Sequence, residues 1–529
     1  MKKLLVITMT LLLIGSVNIQ AQTAESKIAG FLKILEKYYI DEVNQDSLVE
    51  VAIKSMLEEL DPHSNYLDEK ALAKSNEELG GNFEGVGIQF NILNDTIYVV
   101  STISGGPSEK VGVYAGDKIV EVDGENVAGV GIENDGVIKR LRGEKGTKVE
   151  IKVKRNGQAE LLDFLITRDK IPLFALDAFY MVDKTIGYIK LSRFSATATQ
   201  EVKDAIKELQ SQGMEDLILD LTGNGGGYLN EAVTLADEFL SGDKLIVYTE
   251  GRAFPKKEEK ASIEGLFEDG RLVVMIDQNS ASASEIVSGA IQDWDRGILV
   301  GRRSFGKGLV QRAYYLPDRT AVRVTIAKYF TPSGRFIQKP YEDGREAYHQ
   351  DNLDRFNSGE LTGASEFVYP DSLKHFTAAK RVVYSGGGIL PDVFVAIDTS
   401  FNSEFVARLS RRGILTQFAL EYVDANRKSL ENKYPDIKVF KTDFEVNDEM
   451  LADLYEYAKK KEVEPNEGED FSNSLPWLRN SVKALVARDI WKTAAYYEIS
   501  NEIDPIFLEA VATLRDKKIF KKLEITHNH

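Results

Sequence analysis

Three short segments of this 529-residue chain carry residues able to do chemistry. The first, Asn279-Ser280-Ala281-Ser282-Ala283-Ser284-Glu285-Ile286, lies between an apolar run and a helical pattern, where small residues let the backbone turn sharply. A hydroxyl there sits at a helix N-terminus, whose dipole and free N–H groups stabilise a developing oxyanion. The plainer role for Ser280 or Ser282 is to cap that helix. The second, Thr222-Gly223-Asn224-Gly225-Gly226-Gly227, follows another apolar run, and its glycines offer N–H groups and close backbone approach, as an oxyanion site requires. A tight strand-to-helix turn accounts for it equally well. The third, Gly301-Arg302-Arg303-Ser304-Phe305-Gly306-Lys307-Gly308, satisfies the G-x-x-x-x-G-K pattern of a nucleotide loop. Two features argue against that use: Gly308 stands where a magnesium-binding hydroxyl is needed, and Leu309–Pro317 reads as strand rather than helix. Lys307 is then a candidate for a desolvated amine acting as a base. Holding a lysine neutral near pH 7 takes a shift of about 3.4 units, or about 4.6 kcal/mol, which only burial can supply. A surface lysine in a glycine loop is the plainer alternative.

Composition narrows the chemistry further. The chain has no Cys and five His, which excludes a thiol nucleophile and a thiolate metal site and disfavours a histidine-rich one; no metal and no organic cofactor is expected. Its 66 Lys+Arg against 83 Asp+Glu give a net charge of −17, which disfavours nucleic acid as a partner. Lys2 and Lys3, an apolar run from Leu4 to Val17 and a small residue at Ala21 have the pattern of a secretory leader over residues 1–21. That run spans about 21 Å as a helix, short of the roughly 30 Å hydrocarbon core. An exported protein without an integral span after leader removal, most simply in a bacterial periplasm, is the expectation.

The elements that must position these segments follow from periodicity. Ile28, Phe31, Leu32, Leu35 and Tyr39 share one helical face; a second helix has Ser47 and Glu50 in capping-box spacing and stops before Asp61-Pro62. From Gly80, glycine turns separate short strands at Val86–Phe90, Thr96–Val100, Lys118–Val122 and Lys148–Val153. From Thr185, strands at Ile186–Leu191, Leu217–Leu221, Leu272–Ile276 and Ile298–Val300 alternate with helices at Ala198–Gln210, Leu229–Leu240 and Ser284–Asp293, the rhythm of an α/β core covered on both faces. Lys256–Lys260 reads as a solvated loop. Beyond about 400 the chain is helical, with apolar faces at Leu451, Leu454, Tyr455 and Ala458 and at Leu478, Val482, Leu485, Val486 and Ile490.

Taken in order, Leu60-Asp61-Pro62-His63-Ser64, Asp220–Gly227, Ser280–Glu285, Phe305–Gly308 with Gln311, Thr331–Arg335 and Gly387–Asp392 resemble the carboxyl-terminal processing peptidases, a Ser/Lys serine protease family. The resemblance implies Ser282 as nucleophile and Lys307, 25 residues on, as base, with Gln311 orienting the lysine. It implies oxyanion N–H groups at Gly226 or Gly227 and at Ala283. An extended run would hold the Cα atoms of 307 and 311 about 13 Å apart, so direct contact requires a turn near Gly308. Asp293 matches an acidic family position, and a surface helix carboxylate explains it as well. A histidine triad would have to use His63, His349 or His375; His63 sits in a helix-to-loop turn and the other two in a polar stretch.

Phe83–Phe90 and Gly116–Gly124 resemble a PDZ domain, which implies that Gly85, Val86, Gly87 and Ile88 bind the end of a peptide. The expected fold is multidomain α/β: leader 1–21, a helical N-terminal region 22–80, a β-rich PDZ domain 82–169, an α/β serine protease core 170–399 and a C-terminal helical extension 400–529. The expected function is an exported serine endopeptidase acting on proteins or peptides with accessible C-termini. An exported PDZ scaffold with an inactive protease fold is the alternative. Packing on the core is the first role for the extension, with homo-oligomer formation or adaptor docking the other two.

Overall fold

The computed structural model describes residues 23–262, 264–363, 369–401 and 403–522; the leader expected over 1–21 lies outside them. Helices Ala24–Tyr38, Gln45–Glu58 and Glu69–Gly80 open the described chain. The second begins earlier than the Ser47/Glu50 spacing suggested. Asn44 caps it, its side chain accepting the Ser47 N–H at 3.0 Å, so Ser47 lies inside the first turn. The first helix buries none of its residues, leaving Ile28, Phe31 and Ile34 exposed.

The β-rich domain is an antiparallel sheet ordered Ile88–Leu93, Thr96–Thr102, Lys118–Val122, Lys148–Lys154, Leu162–Thr167, with helix Asn134–Leu141 on one face. Ile97, Val99, Ile119, Val137, Val149 and Ile151 form its core. The strand expected at Val86–Phe90 is broken. Asn82–Gly85 pairs with Asp169–Pro172, Ile88–Leu93 pairs with Thr96–Thr102, and Gly87 at φ +76 makes the turn between them.

The α/β core is a six-stranded sheet ordered Leu176–Met181, Ile186–Leu191, Asp216–Asp220, Leu272–Ile276, Ile298–Gly301, Val393–Phe394, parallel except for the first pair. The four central strands are buried along their whole length, as a parallel sheet covered on both faces requires. Helices Ala198–Ser211, Leu229–Asp237 and Ala283–Asp293 cover one face, packing on Leu219, Val274 and Leu299. The other face is covered from the far end of the chain: Ile506, Phe507, Ala510 and Leu514 of helix Pro505–Arg515 pack on Tyr188, Ile218, Val273 and Val300. A second sheet contains Leu309–Tyr315, Ala321–Phe330, Leu245–Gly251 and Phe254–Lys260, with Asn65–Leu67 at one edge. Lys256–Lys260, expected as a loop, is thus an edge strand paired with Leu245–Gly251. Its charges are those that keep an edge from pairing with another chain, and they outweigh strand propensity in a local reading.

Residues 404–500 form a helical bundle with its own core, including Phe405, Phe418, Phe440, Leu454, Leu478 and Val482. The two apolar faces read from the sequence are both turned inward there. Helix Ile414–Lys433 of the bundle also meets the β-rich domain: Leu420 packs with Leu93 and Tyr98, and Asp424 pairs with Lys118 at 3.2 Å.

Candidate active site

Two of the three segments leave adjacent parallel strands at their C-terminal ends and are stitched together there. Asp220, at the end of its strand, accepts from Tyr188 Oη (2.6 Å), Lys190 Nζ (3.0 Å) and the Thr222 N–H (2.7 Å), which anchors the start of the glycine segment. Asp277 Oδ1 accepts the N–H groups of Gly223 (2.8 Å), Asn279 (3.1 Å) and Ser280 (3.0 Å), tying glycine segment to serine segment. The Asn224 carbonyl takes the Ala281 N–H (3.0 Å) and the Ser284 hydroxyl (2.9 Å).

These bonds separate the serines. Ser280 and Ser284 are fully buried, their hydroxyls donating to the carbonyls of Leu221 and Asn224. Ser282, half-buried between them, stands at the N-terminus of helix Ala283–Asp293 with φ +56 and ψ −110, a conformation strained for any residue with a Cβ. Against it lies Gly226, at φ +103: an added Cβ would come within 2.9 Å of Ser282 Cβ and 3.1 Å of the Ala283 nitrogen. The Gly226 N–H donates to Asn224 Oδ1 at 2.9 Å. Gly227 lies against Phe194, whose carbonyl oxygen would be 2.2 Å from an added Cβ.

Lys307 is brought to Ser282 by two bridges. Glu285 Oε2 accepts both the Ser282 N–H (2.8 Å) and the Lys307 N–H (2.9 Å), while Oε1 accepts the Gly306 N–H (2.7 Å) and the Ser304 hydroxyl (2.6 Å). On the carbonyl side, Tyr329 Oη lies 2.6 Å from Lys307 O and 3.2 Å from Ser282 O. Glu285 is fully buried and burial raises its pKa, opposed by these donors. Burial holds the Lys307 amine below its usual range and the Arg323 charge adds to this, with Glu285 and Asp61 opposing.

The Gln311 Nε2 donates to Thr325 Oγ1 at 3.3 Å, and Thr325 Oγ1 donates to Asp61 Oδ1 at 3.0 Å. Asp293, for which a surface position was one reading, is buried at the far end of the Ser282 helix. It pairs there with fully buried Arg335 at 2.5 Å and accepts from Ser333, so it holds the Thr331–Arg335 turn. His63 Nε2 lies 2.8 Å from Tyr348 Oη; burial, then the nearby Lys307 charge, push its pKa down to about 3. His375 bonds Ser333 O and Ser385 Oγ, and His349 is exposed. In the β-rich domain, the Val86 carbonyl accepts from the N–H (3.0 Å) and hydroxyl (2.7 Å) of Ser108, and the Gly87 carbonyl from the Ile103 N–H (3.0 Å). Ile88 begins the edge strand of this domain's sheet, which pairs on one side, with Thr96–Thr102. Among the described residues no group of acidic or His side chains is arranged to hold a metal ion.

Sequence reasoning quoted Glu285 without a role and passed over Tyr329. The signal for Glu285 was present: Ser282-x-x-Glu285 is capping-box spacing at a helix start. Tyr329 comes from a strand of the second sheet, and no local spacing marks it.

Comparison with known proteins matches peptidase family S41 to residues 185–343, a PDZ domain to 85–166, the N-terminal domain of the activating protease CtpB to 15–71, and a family of unknown function to 405–492. The carboxy-terminal processing protease CtpA of Bacillus subtilis is 35% identical over 339 residues, covering 63% of this chain and 72% of that protein. The carboxy-terminal-processing protease of Bartonella bacilliformis is 37% identical over 328 residues, covering 60% and 74%. Among solved structures, the photosystem II D1 C-terminal processing protease is 30% identical with a TM-score of 0.35, covering 60% of this chain and 84% of that one. On the extent of these matches, the chain belongs to the carboxy-terminal processing proteases of peptidase family S41, serine-type enzymes, and carries a PDZ domain.

Proposed function

We propose that this protein is an endopeptidase in which Ser282 is the nucleophile and the neutral Lys307 amine its base. The observation that carries this reading is the shared Glu285 oxygen, which ties the backbones of the two residues to one point. Lys307 Nζ takes the Ser282 hydroxyl proton as Oγ bonds to the scissile carbonyl carbon. The oxyanion that forms meets the Ala283 N–H at the helix start and a glycine-segment N–H. Since the Gly226 N–H is held by Asn224, Gly227 is the better donor of the two. The protonated lysine then gives its proton to the leaving amine as the peptide C–N bond breaks. Water, deprotonated by the same lysine, hydrolyses the acyl-enzyme. Gln311 is assigned to orient the lysine: its Nε2 donates to Thr325, which leaves Oε1 to accept from the Lys307 amine.

The PDZ domain holds the substrate's terminal carboxylate at the N–H groups of Gly85–Ile88, and the tail adds as a strand to Ile88–Leu93. Residues 1–21 act as an export leader, placing the enzyme in a bacterial periplasm, on the strength of Lys2, Lys3 and the apolar run after them. A binding scaffold without activity would have no use for Ser282 held in a strained conformation with its backbone tied, through Glu285, to that of a desolvated lysine. Ser282→Ala should abolish cleavage of an unstructured peptide and leave its affinity within about twofold. Turnover equal to that of the unaltered enzyme would refute the assignment.

A further inference from the structure

The open side of the PDZ groove is bounded by more than the PDZ domain. Ile88, Phe90 and Ile92 alternate along the edge strand and pack toward the domain core beside helix Asn134–Leu141. At the Ile92 end lies a cavity of about 680 Å³, whose lining includes Asn91, Ile92, Glu133 and Asp135 on the PDZ side and Gly413, Thr416 and Gln417 of the C-terminal extension on the other. Its size suits a peptide side chain with neighbouring backbone. The extension is held at this place: Glu421, one turn beyond Gln417, accepts from Asn94 at 3.1 Å, Lys461 donates to Asn94 at 2.9 Å, and Asp424 pairs with Lys118. These contacts are continuous with the Leu420, Leu93 and Tyr98 cluster.

A tail that pairs antiparallel with Ile88–Leu93, its carboxylate at Gly85–Ile88, runs backward toward Ile92. Four residues of strand cover about 13 Å, which brings the fourth residue before the terminal one opposite Ile92 and into this cavity. Glu133 and Asp135 are the carboxylates that meet this space, Asp135 in an exposed ion pair with Lys70 at 2.6 Å, together with the Gln417 amide and the Thr416 hydroxyl. Resting on the PDZ reading above, we propose that the 413–417 segment is a third wall of the groove and a specificity element, selecting a basic side chain four residues before the substrate's C-terminus.

The test uses the full chain carrying Ser282→Ala and an unstructured ten-residue peptide with a free carboxylate and an apolar last residue. With a benzophenone amino acid at the fourth position before the last, photo-crosslinks should map to 413–417; at the first position before the last they should not. In fluorescence anisotropy, Lys at the fourth position should bind about two- to fivefold tighter than Ala, the range of a partly exposed ion pair. Gln417→Arg should remove that preference while a four-residue peptide, too short to reach, binds as before. Crosslinks confined to the PDZ domain, or a lysine preference indifferent to Gln417→Arg, would overturn the proposal. Failure of the PDZ reading itself has a different signature: an amidated peptide would bind as well as the free acid, and the proposal would fall with it.

Discussion

In the proposed dyad, a few neighbours set the reactivity of Lys307 and Ser282. Lysine is a base only when uncharged, and burial near Lys307 disfavours the charged form, with Arg323 acting in the same direction. The rate should therefore rise with pH as Lys307 deprotonates, with an apparent pKa below the ordinary lysine range. Because Arg323 lowers that pKa, Arg323→Gln should move the rising limb of kcat/KM to higher pH; a limb that stays in place or moves to lower pH contradicts the assignment. His63 is neutral throughout this range, so it adds no limb near neutrality. Glu285 makes a second test. Glu285→Gln puts an amide NH₂ against N–H or hydroxyl donors that now share a carboxylate, leaving a buried donor unmet at a cost of about 1–3 kcal/mol. Urea denaturation should show that loss and kcat should fall with it; unchanged stability would mean that the carboxylate is not the tie it is taken to be.

At the scale of elements, the site is two strand-end loops locked face to face. The lock depends on a missing side chain. Gly226→Ala would set a methyl group 2.9 Å from both the Ala281 carbonyl oxygen and Ser282 Cβ, at a φ that disfavours any Cβ. Displacing Ser282, the proposed nucleophile, by about 1 Å costs about 100-fold in rate. The expected result is therefore a fall in kcat of that order with far-ultraviolet circular dichroism retained, and a variant with full kcat would show that the loops are not locked here. Much of this level was legible in the sequence. The strands before each loop and the helix after Ser282 follow from buried apolar runs and 3.6-residue periodicity. Lys256–Lys260 was misread because an edge strand with charges along it has the composition of a loop. The turn at Val86-Gly87 was missed because Val86 is buried in the domain core and so extends the apolar pattern of the strand that begins at Ile88.

At the scale of the molecule, helix Pro505–Arg515 is a layer of the protease core. Without it, Tyr188, Ile218, Val273 and Val300 would face water. Leu514, fully buried, should cost about 2–5 kcal/mol when replaced by Ala, seen as a lower denaturant midpoint of the protease core. An unchanged midpoint would exclude the helix from the core. The same extension reaches the PDZ domain through Leu420 and Asp424, so one chain segment touches both the protease core and the PDZ domain.

The sequence by itself carried the motifs whose family resemblance assigns Ser282 and Lys307, and it determined most strands and helices, because burial of one face writes a short-range period into the chain. Tertiary structure decided the rest. It showed that Glu285 and Tyr329 join Ser282 to Lys307, that Asn224 takes the Gly226 N–H, that Gln311 rests on Thr325, and that residues beyond 500 close the sheet. Each of these is a pairing between groups distant in sequence or turned by a local fold, and hydrogen bonds and packing across such distances leave no period for a linear reading to detect.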